Sequence, residues 1–244
     1  TPVTLELGGN DAGILLDDAP LSPEFFQKLY ISCFLTSGQI CMALKRLYVP
    51  RALFDDVVDG LSEVMDRQVV GDGLKDGVTM GPLTTARQKG VVTGMLAEAA
   101  AAGADIRYLG KVDDEGDFEA GYFLRPSLVV DADPDLSVVR DEQFGPTLPV
   151  MPYDNENEAI AMANATNYGL SSSVWSADES RAVALAEWLE AGFTNINSHG
   201  PTAMDGLSPF GGVKQSGIGR NFGFEGIRQF QEVHSISGAS GTIF

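Results

Sequence analysis

Cationic side chains are scarce in this 244-residue sequence: 16 Lys and Arg stand against 34 Asp and Glu, a formal net charge of −18. So few cations could not neutralise a row of phosphates, which argues against a nucleic-acid partner. The same deficit argues against an anionic membrane surface. Cysteine is nearly missing. Cys33 and Cys41 are the only two, too few for a disulfide scaffold at this length, so a reduced cytoplasmic protein is the simpler expectation. No apolar run approaches the roughly 20 residues that span a bilayer, and no signal-peptide pattern is present. Histidine is limited to His199 and His234. They are far apart, lack metal-ligand companions and read as ordinary loop or surface residues, so no metal site is expected. An initiator methionine is missing too: the chain opens Thr1-Pro2-Val3 and reads as a piece of something longer.

What is there is an ordinary globular composition, 44% hydrophobic and 20% charged, in a chain long enough to bury a sizeable core. Strand-like and helix-like runs alternate, the signature of an α/β fold with a mostly parallel sheet. Val3, Leu5 and Leu7 alternate with Thr4 and Glu6 as in a strand with one apolar face, stopped by Gly8-Gly9. Ser22-Pro23-Glu24 has the hydroxyl, proline and acid of a helix start. Phe25, Phe26, Leu29, Tyr30, Cys33 and Phe34 follow at helical spacing, and Gly38 is the expected terminator. Further strands are predicted at 46–49, 127–130, 148–153, 171–175 and 193–197, and helices at 52–67, 85–102, 155–165 and 178–191. Glycine and proline dominate 198–223, which predicts loop. No composition break demands two domains.

Candidate chemistry is sparse when residues are taken singly. Glu6 is either a solvated edge carboxylate, which periodicity alone favours, or a base in a cleft with a raised pKa. Cys41, in Ser37-Gly38-Gln39-Ile40-Cys41, is either a small buried hydrophobe or a loop thiol made acidic by nearby backbone N–H groups. Cys33, on the apolar helix face, fits the first role better. Asp141-Glu142-Gln143-Phe144-Gly145-Pro146 alone is a turn with charged flanks. The glycine-rich run Pro209 to Gly217 has one cation, Lys214, but neither the Walker spacing nor the dinucleotide fingerprint.

Taken in order, the segments are recognisable. Leu5-Glu6-Leu7-Gly8-Gly9-Asn10, Gly38-Gln39-Ile40-Cys41, Glu142-Gln143-Phe144-Gly145-Pro146, Asn167-Tyr168-Gly169-Leu170 and Pro209-Phe210-Gly211-Gly212-Val213-Lys214-Gln215-Ser216-Gly217 together resemble the aldehyde dehydrogenase superfamily over essentially the whole chain. The likeness covers only the second half of such an enzyme. It implies a three-layer α/β catalytic domain over 1–244, with 1–9 as the end strand of the cofactor domain and 232–244 as a tail making interdomain or oligomer contacts. The cofactor-binding first half, with the asparagine of the oxyanion hole, is expected to lie elsewhere.

The resemblance also implies roles. Cys41 matches the nucleophile that forms a thiohemiacetal and then a thioester, and Glu6 matches the base that activates the hydrolytic water. Glu142 matches the nicotinamide-ribose ligand, with Phe144 beside the nicotinamide and Leu7 and Gly8 along the cofactor cleft. Ile40, Met42, Met204 and Phe210 would face an apolar aldehyde tunnel. Oxidation of an aldehyde to a carboxylate with NAD or NADP follows, in a homo-oligomer, dimer or tetramer, of the full-length protein. The wording from Met42 to Val49 is closest to members acting on semialdehyde or poorly defined substrates. Two alternatives are a CoA-acylating member, which the presence of Glu6 disfavours, and a non-enzymatic binding or structural fragment. The fragment alone is expected to be inactive.

Overall fold

The computed structural model describes residues 3–239 and 241–242, the last two by backbone alone. In chain order the elements are β1 (Leu5–Glu6), β2 (Asp11–Leu15), α1 (Pro23–Phe34), β3 (Leu44–Pro50), α2 (Phe54–Asp66), β4 (Val69–Val70), α3 (Ala86–Ala101), β5 (Asp105–Tyr108), β6 (Lys111–Val112), α4 (Glu115–Ala120) and β7 (Ser127–Val130). There follow α5 (Ser137–Arg140), β8 (Thr147–Tyr153), α6 (Glu156–Asn164), β9 (Ser171–Trp175), α7 (Glu179–Ala186), β10 (Phe193–Ile196), β11 (Gly217–Ile218), α8 (Gly223–Arg228), β12 (Ser237–Gly238) and β13 (Gly241–Thr242).

Seven strands form the central sheet in the order β10-β9-β2-β3-β8-β7-β5. All neighbours are parallel except the edge pair β5 and β7. Because successive side chains of a strand point to opposite faces, the sheet supplies two cores. Leu15, Leu47, Val49, Leu128, Val150 and Trp175 pack with Phe25, Leu29 and Cys33 of α1 and Val57, Leu61 and Met65 of α2. Their neighbours Ile14, Tyr48, Val129, Met151 and Val174 pack on the other face with α3, α5, α6 and α7. The result is the expected three-layer α/β fold.

The α1 start follows its sequence signature. Ser22 Oγ accepts from Phe25 N at 3.2 Å, with Pro23 in the first turn. Its end does not. The helix stops at Phe34, and Thr36, Ser37 and Gly38 all take positive φ. Gly38 is therefore not the helix terminator. Its backbone lies against Gly145, and a Cβ there would overlap the Gly145 carbonyl oxygen and stand 2.6 Å from Lys45 Nζ.

The strand predicted over 3–7 is shorter in the structure: only Leu5 and Glu6 are strand, paired with Gly217 and Ile218 outside the main sheet, and its apolar side chains are exposed, Leu7 at 48%. The loop predicted over 198–223 holds β11 and the start of α8.

Candidate active site

The order β9-β2-β3-β8 of parallel strands puts four amino ends side by side. The segments entering those strands are Asn167–Leu170, Gly8–Asn10, Gln39–Ala43 and Glu142–Pro146. Four of the five sequence motifs therefore meet along one edge. The fifth is tied to them by backbone bonds: Val213 N donates to Gly169 O at 2.9 Å and Gln215 N to Asn167 O at 2.9 Å. Ser216 Oγ accepts from Gly169 N at 3.0 Å. Lys214, the cation of that motif, is spent internally on the carbonyls of Asn164 and Thr166 and on Glu190.

Cys41 sits between the left-handed Thr36–Gly38 segment and β3. Gln39 holds this loop, donating from Nε2 to Thr36 O and accepting at Oε1 from the Thr84 backbone N–H and hydroxyl. The Cys41 thiol is half-buried, and its pKa is pushed up rather than down. Burial is the main cause, followed by the carboxylates of Asp11 and Glu6; these outweigh the backbone N–H groups of Met42 and Cys41 that favour a thiolate. The acidic thiol that the loop position suggested is corrected accordingly. Cys33 is 1% exposed within the α1 core, and burial drives its thiol much further up.

Glu6 is exposed, and its Oε1 accepts from Asn221 Nδ2 at 2.6 Å. A cleft around Glu6 is not what this chain builds; the solvated-edge alternative describes its surroundings. Its charge nevertheless bears on Cys41. Glu142 is half-buried, and Oε1 accepts from Gly9 N at 2.9 Å. Burial pushes its pKa up, with Asp11 adding to the effect and the Gly9 N–H and Lys45 opposing it. Gly8 packs directly on that carboxylate, which occupies the space a Cβ would need. Phe144 is half-buried with φ of 50°, and its carbonyl accepts from Gln88 Nε2 at 3.1 Å. Ile40, Met42, Met204 and Phe210 gather with Cys41, Leu170 and Phe193 in one apolar cluster. The structure thus draws the tunnel candidates to the Cys41 loop, while Leu7 is exposed.

Sequence reasoning missed Lys45, Asp11 and Asn221, and its reading of His199 as an ordinary loop or surface residue is corrected by burial, at 1% exposure. Lys45 is 1% exposed, and its ammonium donates to Gly145 O at 2.7 Å, joining the Cys41 strand to the Glu142–Pro146 turn. Nothing in a run such as Leu44-Lys45-Arg46-Leu47 marks a buried cation; its only signal is position, four residues after Cys41. Among the described residues no group of three or more His, Cys, Asp or Glu could hold a metal ion.

With this geometry in place, the likeness to known proteins is specific. The profile of the aldehyde dehydrogenase family matches residues 1–236. Geranial dehydrogenase of Castellaniella defragrans is 35% identical over 235 residues, 96% of this chain and 48% of that protein. Glutarate-semialdehyde dehydrogenase of Pseudomonas aeruginosa is 38% identical over 231 residues, 95% of this chain and 46% of that protein. The crystal structure of a Mycobacterium tuberculosis aldehyde dehydrogenase complexed with NAD+ superposes with a TM-score of 0.86 at 34% identity, covering 94% of this chain and 46% of that one. The chain spans about half the length of the relatives it matches, and it belongs to the aldehyde dehydrogenase family.

Proposed function

We propose that this chain is the nucleophile-bearing half of an NAD(P)+-dependent aldehyde dehydrogenase that oxidises an aldehyde to a carboxylate. The observation that carries the reading is the convergence of Cys41, Glu142 and the apolar cluster on one sheet edge, with the charge of Glu6 reaching the thiol. The residues fit a nicotinamide ribose: Glu142 Oε1 is held by Gly9, and among the described residues no donor reaches Oε2, which leaves an acceptor for a ribose hydroxyl. Bound there, NAD(P)+ would supply the hydride acceptor for the oxidation.

The chain's own groups do the rest. The Cys41 thiol releases its proton to solvent, its sulfur bonds to the aldehyde carbon and the carbonyl electron pair moves to oxygen, forming a thiohemiacetal oxyanion. The backbone N–H of Cys41 stabilises the oxyanion. After oxidation a thioester joins Cys41 to the acyl group. Glu6 takes a proton from water as the hydroxide adds to the thioester carbon; the carbon–sulfur bond then breaks to restore the Cys41 thiolate, and the acid so formed loses its remaining proton to solvent and leaves as the carboxylate. Ile40, Met42, Met204 and Phe210 exclude water from the substrate tail and disfavour a charged one. Phe144 packs beside the nicotinamide, and Leu7 and Gly8 border the cofactor cleft.

In this reading residues 1–244 form the catalytic domain, 1–9 close the cofactor domain, and 232–244 make interdomain or oligomer contacts; 1, 2, 240, 243 and 244 lie outside the described residues. Homo-oligomerisation and a cytoplasmic location belong to the same proposal. Among the described residues no helix is long and apolar enough to cross a membrane. The test is an aldehyde panel assayed for reduced cofactor with NAD+ and NADP+ on the full-length protein. Cofactor reduction with apolar aldehydes, lost by at least about 10³-fold in Cys41→Ala, is the expected result. Undiminished turnover in Cys41→Ala would overturn the assignment.

A further inference from the structure

Two loops carry the proposed chemistry, and both hold side chains in the left-handed region. Thr36 and Ser37, ahead of Cys41, have φ of 51° and 57°; Phe144, after Glu142, has φ of 50°. Residues with a Cβ avoid that region and stay in it only where their surroundings hold them.

One short segment, 81–88, reaches both loops. It leads into the first turn of α3. On the Cys41 side, Ser37 Oγ donates to Gly81 O at 2.8 Å. Gln39 Oε1 accepts from Thr84 N at 2.8 Å and from Thr84 Oγ1 at 2.9 Å, while Gln39 Nε2 donates to Thr36 O at 3.2 Å. On the Glu142 side, Gln88 Nε2 donates to Gln143 O at 2.6 Å and to Phe144 O at 3.1 Å. Each left-handed residue is therefore bonded to 81–88 directly or to Gln39, which is itself bonded to Thr84.

The segment has a firm footing. Thr85 Oγ1 caps α3 by accepting from Gln88 N at 3.1 Å, and Val92, Leu96 and Ala99 of the helix are buried in the core. Val92 also packs on the turn, since a Cβ on Gly145 would stand 2.5 Å from its Cγ2. The two loops meet as well: a Cβ on Gly38 would overlap the Gly145 carbonyl oxygen.

We propose that 81–88 is a clasp that holds the Cys41 loop and the Phe144 turn in one frame, with Gln39 and Gln88 as its positioning residues. Neither acts on a reactant. Their task is the spacing between thiol and nicotinamide, where a shift of about 1 Å is enough to slow the chemistry. The inference rests on the reading of Cys41 as nucleophile and of Phe144 as the neighbour of the nicotinamide.

The experiment on the full-length protein has two readouts. One is single-turnover cofactor reduction with an apolar aldehyde. The other is iodoacetamide labelling of Cys41 without aldehyde or cofactor, with protection of Cys33 as the check on a closed core. Gln39→Met and Gln88→Met keep the side chain's length and lose its polar atoms. Each is expected to slow reduction roughly ten- to a hundredfold, with the aldehyde KM changed less than about threefold. Because both loosen one spacing, the double variant should fall within about threefold of the slower single variant. Gln88→Glu fills the same space but turns acceptors on two carbonyls, so it is expected to be as slow as Gln88→Met. Gln39→Met should also raise Cys41 labelling at least about twofold, as the half-buried thiol opens to solvent. If Gln39→Met exposes Cys33, Thr84→Val removes the hydroxyl from the same bond and is judged by the same readouts. Losses that multiply in the double variant, wild-type reduction in Gln88→Glu, or unraised Cys41 labelling would each overturn the proposal. A wild type that reduces no cofactor would overturn the proposed function instead, and the labelling would still judge the clasp.

Discussion

Lys45 shows what burial does to a charged group at this site. Its ammonium is lowered from 10.5 to about 8, mainly by desolvation, although Cys33, Glu142 and Asp11 pull the other way. One bond to the Gly145 carbonyl does not replace a full hydration shell. Between about 8 and 10.5 the unfolded chain binds a proton that the folded chain has released. Stability from this group therefore rises with pH across that window. Cys33 and Tyr30, both pushed up by burial, act in the opposite sense at high pH, so the effect is isolated as a difference. The urea midpoint of the wild type is expected to gain on that of Lys45→Met from about pH 7.5 to 9.5. A pH-independent difference between the two would show that Lys45 keeps its ordinary ionisation. Nothing in the sequence foretold this, because a lysine in a strand run looks the same whether it snorkels to water or faces a carbonyl. Cys33, by contrast, was legible, since its helical spacing with Phe26 and Leu29 placed it on an apolar face.

At the scale of elements, the candidate site occupies the amino ends of β9, β2, β3 and β8. Ligands of open α/β sheets more often sit beyond the carboxyl ends; here the loops entering the strands carry the chemistry. Strands at 127–130 and 171–175 match their predicted bounds: Ser-Leu-Val-Val is a short apolar run, and Val-Trp closes the serine-rich second strand with strand-favouring residues. The inner strand β2 was missed. Asp11 and Gly13 break its pattern, and both make sense only in three dimensions, with Asp11 facing His199 and Gly13 leaving room for Leu44. Edge strand β5 was missed for a different reason: Asp-Ile-Arg-Tyr is half exposed and has no apolar run to detect. Gly38 carries the most testable geometry. With φ of 71° and no space for a side chain beside Gly145, Gly38→Ala should cost about 2–3 kcal/mol in urea unfolding and slow Cys41 alkylation as the loop shifts. A loss under roughly 0.5 kcal/mol would mean that the loop relaxes around a methyl group.

For the whole molecule, two sheet faces are covered by helices, yet a separate apolar surface remains open. Leu5 and Leu7 by β1, Ile218 on β11, and Phe224, Ile227 and Phe230 on and after α8 are all exposed. A surface of that kind usually marks an interaction site, in keeping with a chain that spans about half of its relatives' length. Motif order across the chain made the family legible, and strand periodicity favoured an exposed edge for Glu6; the β1–β11 pairing that sets that edge joins segments more than 200 residues apart and could not be read from local pattern. Glu6 and Cys41 therefore carry the central claim together. The most direct measurement mixes full-length Glu6→Gln protein with an apolar aldehyde and NAD(P)+, quenches in acid and maps the covalent adduct by mass spectrometry. The account expects one burst of reduced cofactor, steady turnover down about 10²–10⁴-fold, and an acyl group trapped on Cys41. Unchanged turnover, or an acyl group found on Cys33 instead, would contradict it.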